Sequence, residues 1–263
     1  MGNFRLLGFI ILVVLLSRGV AFGEALPPKV GTVHTYVSHN AKYTVAIEIL
    51  GYPDHSPALC TFTDSGKTVW SKQIPETPSK VVISENGQFI AMTNWGWYDE
   101  GASRSLSLYN GMGDLITEIS FGDSKKGFEG LKWIRVLSIS PDGNYCLIGT
   151  NTQAHALFTV YDSRKGELLW EKGYGFSEAT EAKLSNNGEY ILIATNDYHS
   201  QNMQFFLLNH QGLILYQKKL LKNFSWEVPD YLIFKDNGRE FGIFDFNQGK
   251  FLVEPLLKTK GGN

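Results

Sequence analysis

The chain has 263 residues, of which 43% are hydrophobic and 19% charged, enough to bury one sizeable core as a single domain. Its formal net charge of -2 and its scattered Lys and Arg residues leave no basic surface for nucleic acid or an anionic membrane. Aromatic residues make up 13% of the chain, and Val, Ile, Thr, Tyr and Phe recur in short runs that favour β-strands.

The first segment has the layout of a secretory signal peptide. Arg5 precedes an apolar run over residues 6–16, which is followed by Arg18 and small residues. We predict a signal peptide over residues 1–23, with cleavage after Gly23, although a neighbouring alanine could also mark the end. An uncleaved anchor is the alternative, but the run is shorter than the roughly 20 residues that a spanning helix needs. The sequence thus predicts export to the periplasm or the cell exterior, without membrane insertion after cleavage.

Two cysteines, Cys60 and Cys146, would remain in the exported chain. They fall on apolar strands of different repeat units and lack metal-ligand spacing. Lone cysteines in such positions more often act as small buried hydrophobes than as bridges or nucleophiles. We therefore predict neither a disulfide nor a metal site from them.

The chain repeats a turn motif in which serine precedes Asn-Gly or Asp-Gly and an aromatic residue follows. Clear copies run from Ser84 to Phe89, Ser140 to Tyr145 and Ser185 to Tyr190, and weaker ones from Ser38 to Tyr43 and Lys235 to Phe241. Asn-Gly or Asp-Gly between apolar runs is a strong hairpin signal, because glycine readily takes the positive φ of the turn. The turn positions 41, 87, 143, 188 and 238 are separated by 46, 56, 45 and 50 residues, a period typical of propeller blades.

A second hairpin lies inside most repeats. Its glycines are Gly66, Gly113, Gly166 and Gly212, which follow strands predicted to end at Asp64, Asn110, Asp162 and Asn209. Four short antiparallel strands cannot bury both sheet faces alone, so such units pack side by side around an axis. We predict an all-β fold, a small β-propeller of about five four-stranded blades in one domain. The domain covers residues 24–263, with blades at about 28–76, 77–121, 131–174, 179–221 and 228–258.

Two segments resemble known propeller families. Residues 162–170, Asp-Ser-Arg-Lys-Gly-Glu-Leu-Leu-Trp, preceded by residues 147–151, resemble the repeat of PQQ-type quinoprotein propellers. Ser140-Pro-Asp-Gly143 is similar to the turn common in WD40-like and TolB-like propellers. The resemblance covers about residues 30–257 and implies the architecture alone. No cofactor follows from it, because such folds host sites without specifying them and this chain is shorter than the quinoprotein dehydrogenases.

The fifth repeat has room for fewer strands than the others. After Gly238 the sequence accommodates a strand near residues 241–246, a turn, and a strand over residues 250–256. We expect residues 27–33 to complete this blade and close the ring, which would remove exposed sheet edges. An open, partial propeller that pairs with another chain is the alternative.

Aromatic and polar residues concentrate in the loops that join second to third strands and fourth strands to the next blade, which emerge on one face. The candidate binding residues are Trp95, Trp97, Tyr98, Asp99, Glu100, Trp133, Tyr198, His199 and Trp226. Exposed rigid rings with polar neighbours are typical of binding surfaces. Trp133 and Trp226 have a simpler interpretation as packing between blades, as expected for Trp70 and Trp170 in outer strands. His55, His155 and His199 share the face, but no short spacing ties them into a metal site.

Enzyme motifs are missing from the sequence, including a Gly-x-Ser-x-Gly elbow, a phosphate-binding loop and Cys-x-x-Cys. We predict a non-enzymatic binding or scaffold module that engages a protein or a glycan through the aromatic loop face. The alternative is a carbohydrate hydrolase with a carboxylate pair at the propeller mouth, such as Asp99 with Glu100 or Asp54 with Asp197. A purely structural subunit that associates with copies of itself is a third possibility.

Overall fold

The computed structural model describes residues 30–51, 56–94, 105–121, 133–151, 155–197, 199–200, 202–221, 230–235 and 239–256. Within these residues it contains nineteen strands and no helix, which confirms the predicted all-β class. The strands are β1 (Val33–Val37), β2 (Tyr43–Ile49), β3 (Ala58–Asp64), β4 (Lys67–Ile74), β5 (Pro78–Ile83), β6 (Phe89–Asn94), β7 (Ser105–Asn110), β8 (Leu115–Ser120), β9 (Trp133–Ile139), β10 (Tyr145–Asn151), β11 (His155–Asp162), β12 (Glu167–Gly175), β13 (Ser177–Leu184), β14 (Tyr190–Asp197), β15 (Asn202–Asn209), β16 (Ile214–Leu221), β17 (Leu232–Phe234), β18 (Glu240–Asp245) and β19 (Lys250–Pro255).

These strands form five antiparallel sheets, each in chain order, which we call blades 1 to 5. Blades 1 to 4 contain β1–β4, β5–β8, β9–β12 and β13–β16, and blade 5 contains β17–β19. The first strands of successive blades contact one another, β1 with β5, β5 with β9, β9 with β13 and β13 with β17, so they lie innermost. The chain is therefore a small β-propeller, and the predicted ends of all four third strands are confirmed.

Among the described residues, the repeated turn motif links blades 1 to 4 to one another. The Ser84 hydroxyl donates to Asn86 Oδ1 at 2.7 Å and accepts the N–H of Phe89 at 3.0 Å, which closes the turn. The Asn86 amide then donates to the Asp142 carbonyl in the turn of the following blade at 2.6 Å. A Cβ at Gly87 would lie 2.4 Å from the Tyr43 ring of the preceding blade. Glycine is thus required both for its positive φ and for this close approach.

Apolar side chains fill the interfaces between successive blades. Phe62, Phe158 and Phe241 are among the largest fully buried side chains, and each belongs to a different interface. In β6 and β7 every residue but the last is buried, so both faces of that sheet are covered. Full burial of each such side chain contributes about 1.5–3 kcal/mol. The core is therefore a series of layers between blades.

Tryptophans of the outer strands bridge neighbouring blades, as the sequence predicts. Trp70 Nε1 in β4 donates to the Gly111 carbonyl of blade 2 at 3.1 Å. Trp170 Nε1 in β12 donates to the His210 carbonyl of blade 4 at 2.9 Å. The two rings also lie against the turn glycines Gly113 and Gly212, 3.0 and 3.1 Å from the position of a Cβ there.

The two cysteines lie apart, in β3 and β10, and both are free and fully buried. Burial raises the pKa of each thiol to about 12, so neither is a nucleophile near neutral pH. The prediction of small buried hydrophobes is confirmed.

The expected completion of blade 5 by residues 27–33 is wrong for the described part of that segment, residues 30–33. The Gly31 N–H donates to the Ile49 carbonyl at 2.8 Å, and Val33 pairs with Glu48, so these residues belong to blade 1. The physical reason is that residues leading directly into β1 can continue its pairing with β2. Blade 5 has three strands among the described residues.

Candidate functional site

Most of the predicted binding residues lie outside the described part of the chain. These are Trp95, Trp97, Tyr98, Asp99, Glu100, Tyr198 and Trp226. Trp133 begins β9 and pairs through its backbone with Asn151 of β10. His199 lies in the connection between β14 and β15 and is exposed. The part of the predicted face that the structure describes therefore lies at the junction of blades 3 and 4.

At that junction one exposed ring lies between two imidazoles, an arrangement that we call the aromatic ridge: His155, Phe176 and His199. The Phe176 ring centroid is 6.0 Å from that of His155 and 5.4 Å from that of His199. Phe176 itself is 59% exposed. The ridge thus combines loops that join second to third strands with a connection between blades, as predicted for this face.

Phe176 is held in this place by an unusually short connection. It is the single residue between β12 and β13, and its φ of 49° lies in the left-handed region that non-glycine residues rarely adopt. The Ser177 hydroxyl donates to the Gly175 carbonyl at 3.0 Å across the turn. The backbone conformation therefore displays the ring outward at a cost in strain.

A buried aromatic stack lies beneath the ridge. The Tyr174 ring is 5.9 Å from Phe158 and 4.5 Å from Phe206, so it lies between blades 3 and 4. Burial raises the pKa of Tyr174, and within the described part of the chain its hydroxyl has no hydrogen-bond partner. This stack fixes the position of Tyr174, which lies in β12 two residues before Phe176.

A carboxylate borders the ridge. Asp197 accepts the N–H of His199 at 2.9 Å and faces the Lys219 ammonium at 3.4 Å. The nearby Ser200 side chain, followed by the hydrogen bond from the His199 N–H, lowers the pKa of Asp197 to about 2. The carboxylate is therefore ionised at neutral pH and fixes the turn that carries His199.

The axis of the propeller opens into a cavity of about 270 Å³ that has charged walls. Lys183 lies 2.9 Å from Asp230 and 3.5 Å from Glu181, whose other oxygen accepts the N–H of Tyr231 at 2.6 Å. Burial, partly offset by that N–H and by Lys183, raises the pKa of Glu181. Both carboxylates of the cavity are thus engaged with the same ammonium group.

Two further cations face the same cavity. The Lys80 ammonium donates to the Arg135 carbonyl, and the Arg135 guanidinium lies 3.4 Å from Glu178. Although much of the Lys80 side chain is accessible from the cavity, local desolvation, together with the charge of Arg135, lowers its pKa. The cavity therefore carries a network of positively and negatively charged side chains rather than a carboxylate pair alone.

The axial network was missed by the sequence interpretation, although a signal for it exists. The innermost strands of blades 2, 3 and 4 each carry a β-bulge, at Ser79, Arg135 and Thr180. Each bulged residue stands eight positions before the turn glycine of its repeat. A bulge re-aims side chains, so polar residues at and after this position indicate the axis.

Other candidate sites receive no support from the described residues. No group of three or more His, Cys, Asp or Glu residues there could hold a metal ion. Nor does any helix in this part of the chain have the length and apolarity to cross a membrane. Of the carboxylates considered for a hydrolase, Asp54, Asp99 and Glu100 lie outside the described residues.

Comparison with known proteins gives the fold without a family. No protein-family model matches the chain, and no curated protein matches it significantly. Among solved structures it is similar to hydrazine synthase of Kuenenia stuttgartiensis, with a TM-score of 0.54 and 17% identity over 86% of this chain and 58% of that one.

Two propellers give similar values. The Dos1 propeller matches with a TM-score of 0.53 and 11% identity over 90% of this chain and 62% of that one. The Cps50 (Swd1) β-propeller domain of Myceliophteria thermophila matches with a TM-score of 0.51 and 11% identity over 84% of this chain and 72% of that one. The chain thus spans about 60% of the length of hydrazine synthase and Dos1. At these identities the likeness shows the propeller fold alone.

Proposed function

We propose that this chain is an exported, non-enzymatic binding module that holds a protein partner on the face carrying the aromatic ridge. The observation behind this proposal is the exposed ring of Phe176, held in a left-handed backbone conformation between His155 and His199. Strained backbone that displays a ring to solvent adds nothing to the core, so its use is expected at a contact.

A protein surface suits the ridge better than a small enclosed ligand. The axial cavity and a second cavity beside Asn144 and Arg164 are both lined by residues other than those of the ridge. Aromatic rings at protein interfaces contribute large area with little loss of side-chain entropy. A glycan that stacks on the same rings is the competing ligand class, and the experiment below distinguishes it.

The binding role rather than a catalytic one is supported by the paired charges of the axial cavity. Glu181 and Asp230 both contact Lys183, whereas a glycosidase needs one carboxyl free to donate a proton and another free to attack or to activate water. The exported location rests on the predicted signal peptide over residues 1–23.

Site-specific photo-crosslinking tests the proposal. Benzoylphenylalanine replaces Phe176 in the full chain expressed in its native host, and irradiated samples are examined by gel shift and mass spectrometry. We expect a discrete protein adduct at this position. The matched control places the same probe at Met112, an exposed turn residue between β7 and β8, a connection that emerges on the opposite face.

The two positions give different outcomes if the proposal holds. A protein adduct at position 176 that is absent at 112 supports it. Adducts of equal yield at both positions, or none at 176, contradict it. A carbohydrate-containing adduct at 176 would replace the protein partner with a glycan.

A further inference from the structure

The charged side chains of the axial cavity are divided between two sides. Lys80 and Arg135 come from the first strands of blades 2 and 3, whereas Glu181 and Lys183 belong to blade 4 and Asp230 stands just before blade 5. Lys183 contacts both carboxylates of its side, so their negative charge is offset locally. The cations of blades 2 and 3 are not offset in this way.

The Lys80 ammonium has no anionic partner. Among the described residues it forms no ion pair, and its hydrogen bond goes to the Arg135 carbonyl. An ammonium group carries three N–H donors, so two remain for a further acceptor. Desolvation and then the charge of Arg135 lower the pKa of Lys80. An anion beside the ammonium would reverse both effects, because an opposite charge favours the protonated form.

The Arg135 guanidinium is only partly engaged. It lies 3.4 Å from Glu178, and the two side chains are 51% and 31% exposed. Ion pairs exposed to this extent contribute little to stability. A guanidinium presents five N–H donors in a planar fork that matches a carboxylate, so donors remain for a second anion.

Backbone irregularities place these two cations. Arg135 is the bulged residue of β9 and has no ladder partner in β10, which leaves its carbonyl for the Lys80 ammonium. Lys80 directly follows the bulge at Ser79 in β5. A bulge re-aims the side chains around it, so two neighbouring first strands direct positive charge into one cavity.

The remaining walls of the cavity are largely apolar. Val136, Leu137, Ala182 and Tyr231 line it, and Val136 and Ala182 are themselves buried. Its volume of about 270 Å³ lies just below the roughly 300–1,000 Å³ of sites for drug-sized ligands. The cavity therefore fits a small molecule with one anionic end and an apolar body.

The charge of the occupant follows from the opposite side of the cavity. Glu181 and Asp230 line the same space, and like charges repel strongly where water is partly excluded. A second negative charge, as on a phosphate dianion, would be repelled by these carboxylates. A single carboxylate satisfies Lys80 and Arg135 without that cost.

We infer that the axial cavity binds a small organic monocarboxylate, whose carboxylate contacts the Lys80 ammonium and the Arg135 guanidinium and whose apolar part lies against Val136 and Leu137. This site is separate from the aromatic ridge and does not depend on the proposed function of that face.

An NMR titration of the mature chain, residues 24–263, with benzoate tests the inference. The methyl groups of Val136 and Leu137 report on the cavity, and the side-chain carbon signals of Lys80 report its pKa. We expect benzoate to shift both methyl signals with a Kd of about 1 mM or lower. The pKa of Lys80 should rise when the site is saturated, because a carboxylate stabilises the ammonium form.

Two further probes separate charge from apolar contact. Benzamide has the same ring without the negative charge, and inorganic phosphate has negative charge without an apolar body. Each should bind about tenfold more weakly than benzoate, or weaker still, because each lacks one of the two contacts. This comparison uses the parent chain alone, so it does not depend on the folding of any variant.

Matched variants assign the cationic contact. K80M keeps an unbranched side chain without charge and should weaken benzoate binding about tenfold or more, whereas K80R should restore it. The control is K165M, which removes an exposed lysine paired with Glu167 at the outer hairpin of blade 3. K165M should bind benzoate as the parent chain does.

Four results would overturn the inference. Unmoved Val136 and Leu137 signals at about 10 mM benzoate exclude a site of useful affinity. Equal binding of benzamide reduces the cavity to an apolar pocket. Phosphate that binds as tightly as benzoate makes the site one for oxyanions in general. Unchanged binding in K80M, or an unmoved Lys80 pKa, removes the ammonium from the site.

Discussion

Phe176 illustrates how one residue can be placed by its backbone rather than by its side chain. Residues with large apolar rings usually enter the core, but this one is mostly exposed and has a φ of 49°. The stack of Tyr174 between Phe158 and Phe206 ends β12 so close to β13 that one residue must make the connection. The outward ring is a consequence of that short connection.

Replacing Phe176 by glycine should raise the free energy of unfolding by about 1 kcal/mol, because glycine adopts the left-handed conformation without steric strain. The same substitution should abolish contacts made by the ridge. Urea unfolding followed by tryptophan fluorescence measures the first effect. The F176Y variant keeps both ring and strain and serves as the control. A loss of more than 1 kcal/mol in F176G would show that the ring stabilises the fold instead.

Glu181 should make stability depend on pH in the direction opposite to most carboxylates. Its folded pKa is raised above the ordinary value of 4.5, mainly by burial, so the folded state binds its proton more tightly than the unfolded state. Stability from this group is therefore gained as pH falls through the folded pKa and lost as pH rises above about 4.5.

The E181Q variant removes this titration while keeping an acceptor for the Tyr231 N–H. Relative to the parent chain, its free energy of unfolding should be higher at pH 7 than at pH 4, as measured by urea denaturation at both values. The E178Q variant is the control, because Glu178 pairs with Arg135 on the more exposed side of the network. If the difference in free energy of unfolding between E181Q and the parent chain is the same at pH 4 and pH 7, the burial of Glu181 does not make stability depend on pH.

At the scale of the strand and turn, the sequence predicted the structure correctly where a single residue type is required by the local backbone geometry. Gly87 and Gly143 mark tight turns, because both need a positive φ, and the alternating apolar runs that flank them locate β6 and β10. The bulge at Arg135 and the one-residue connection at Phe176 were not predicted, since both depend on how neighbouring blades pack. The pairing of Gly31 with Ile49 likewise depends on competition between two sheet edges.

Two alanine substitutions separate the conformational role of a turn glycine from its packing role. Gly66 and Gly143 both have positive φ, +79° and +75°. A Cβ at Gly66 meets nothing within 4 Å, whereas one at Gly143 would lie 2.6 Å from the Phe89 ring. We expect G66A to cost about 1–2 kcal/mol from backbone strain.

The G143A variant should cost a further 1–3 kcal/mol, roughly, because the Phe89 ring must move in a close-packed interface. Thermal and urea unfolding of both variants give the difference. Equal losses would show that the contact between the turn of one blade and the aromatic ring of the previous blade does not link the blades.

For the whole molecule, the blades form a series in which each one packs on the next, from blade 1 to blade 5. In β6, β7 and β10 nearly every residue is buried, whereas in β2 buried and half-buried residues alternate. Val33 and Val37 of β1 are 54% and 53% exposed. One face of blade 1 is therefore only half covered, as expected for a terminal unit of a repeat array.

This asymmetry predicts where the molecule opens first. Local opening needs less free energy where fewer apolar contacts are broken, so a peptide that spans β1 should exchange its amides at least tenfold faster than one that spans β13, whose faces both contact other blades. Hydrogen exchange with mass spectrometry on the mature chain measures both in one experiment, and β9 is an internal reference for a central first strand. Equal protection of β1 and β13 would mean that the ring closes tightly over Val33 and Val37. If β1 exchanges fast, blade 1 behaves as a terminal unit of the repeat array rather than as part of a tightly closed ring.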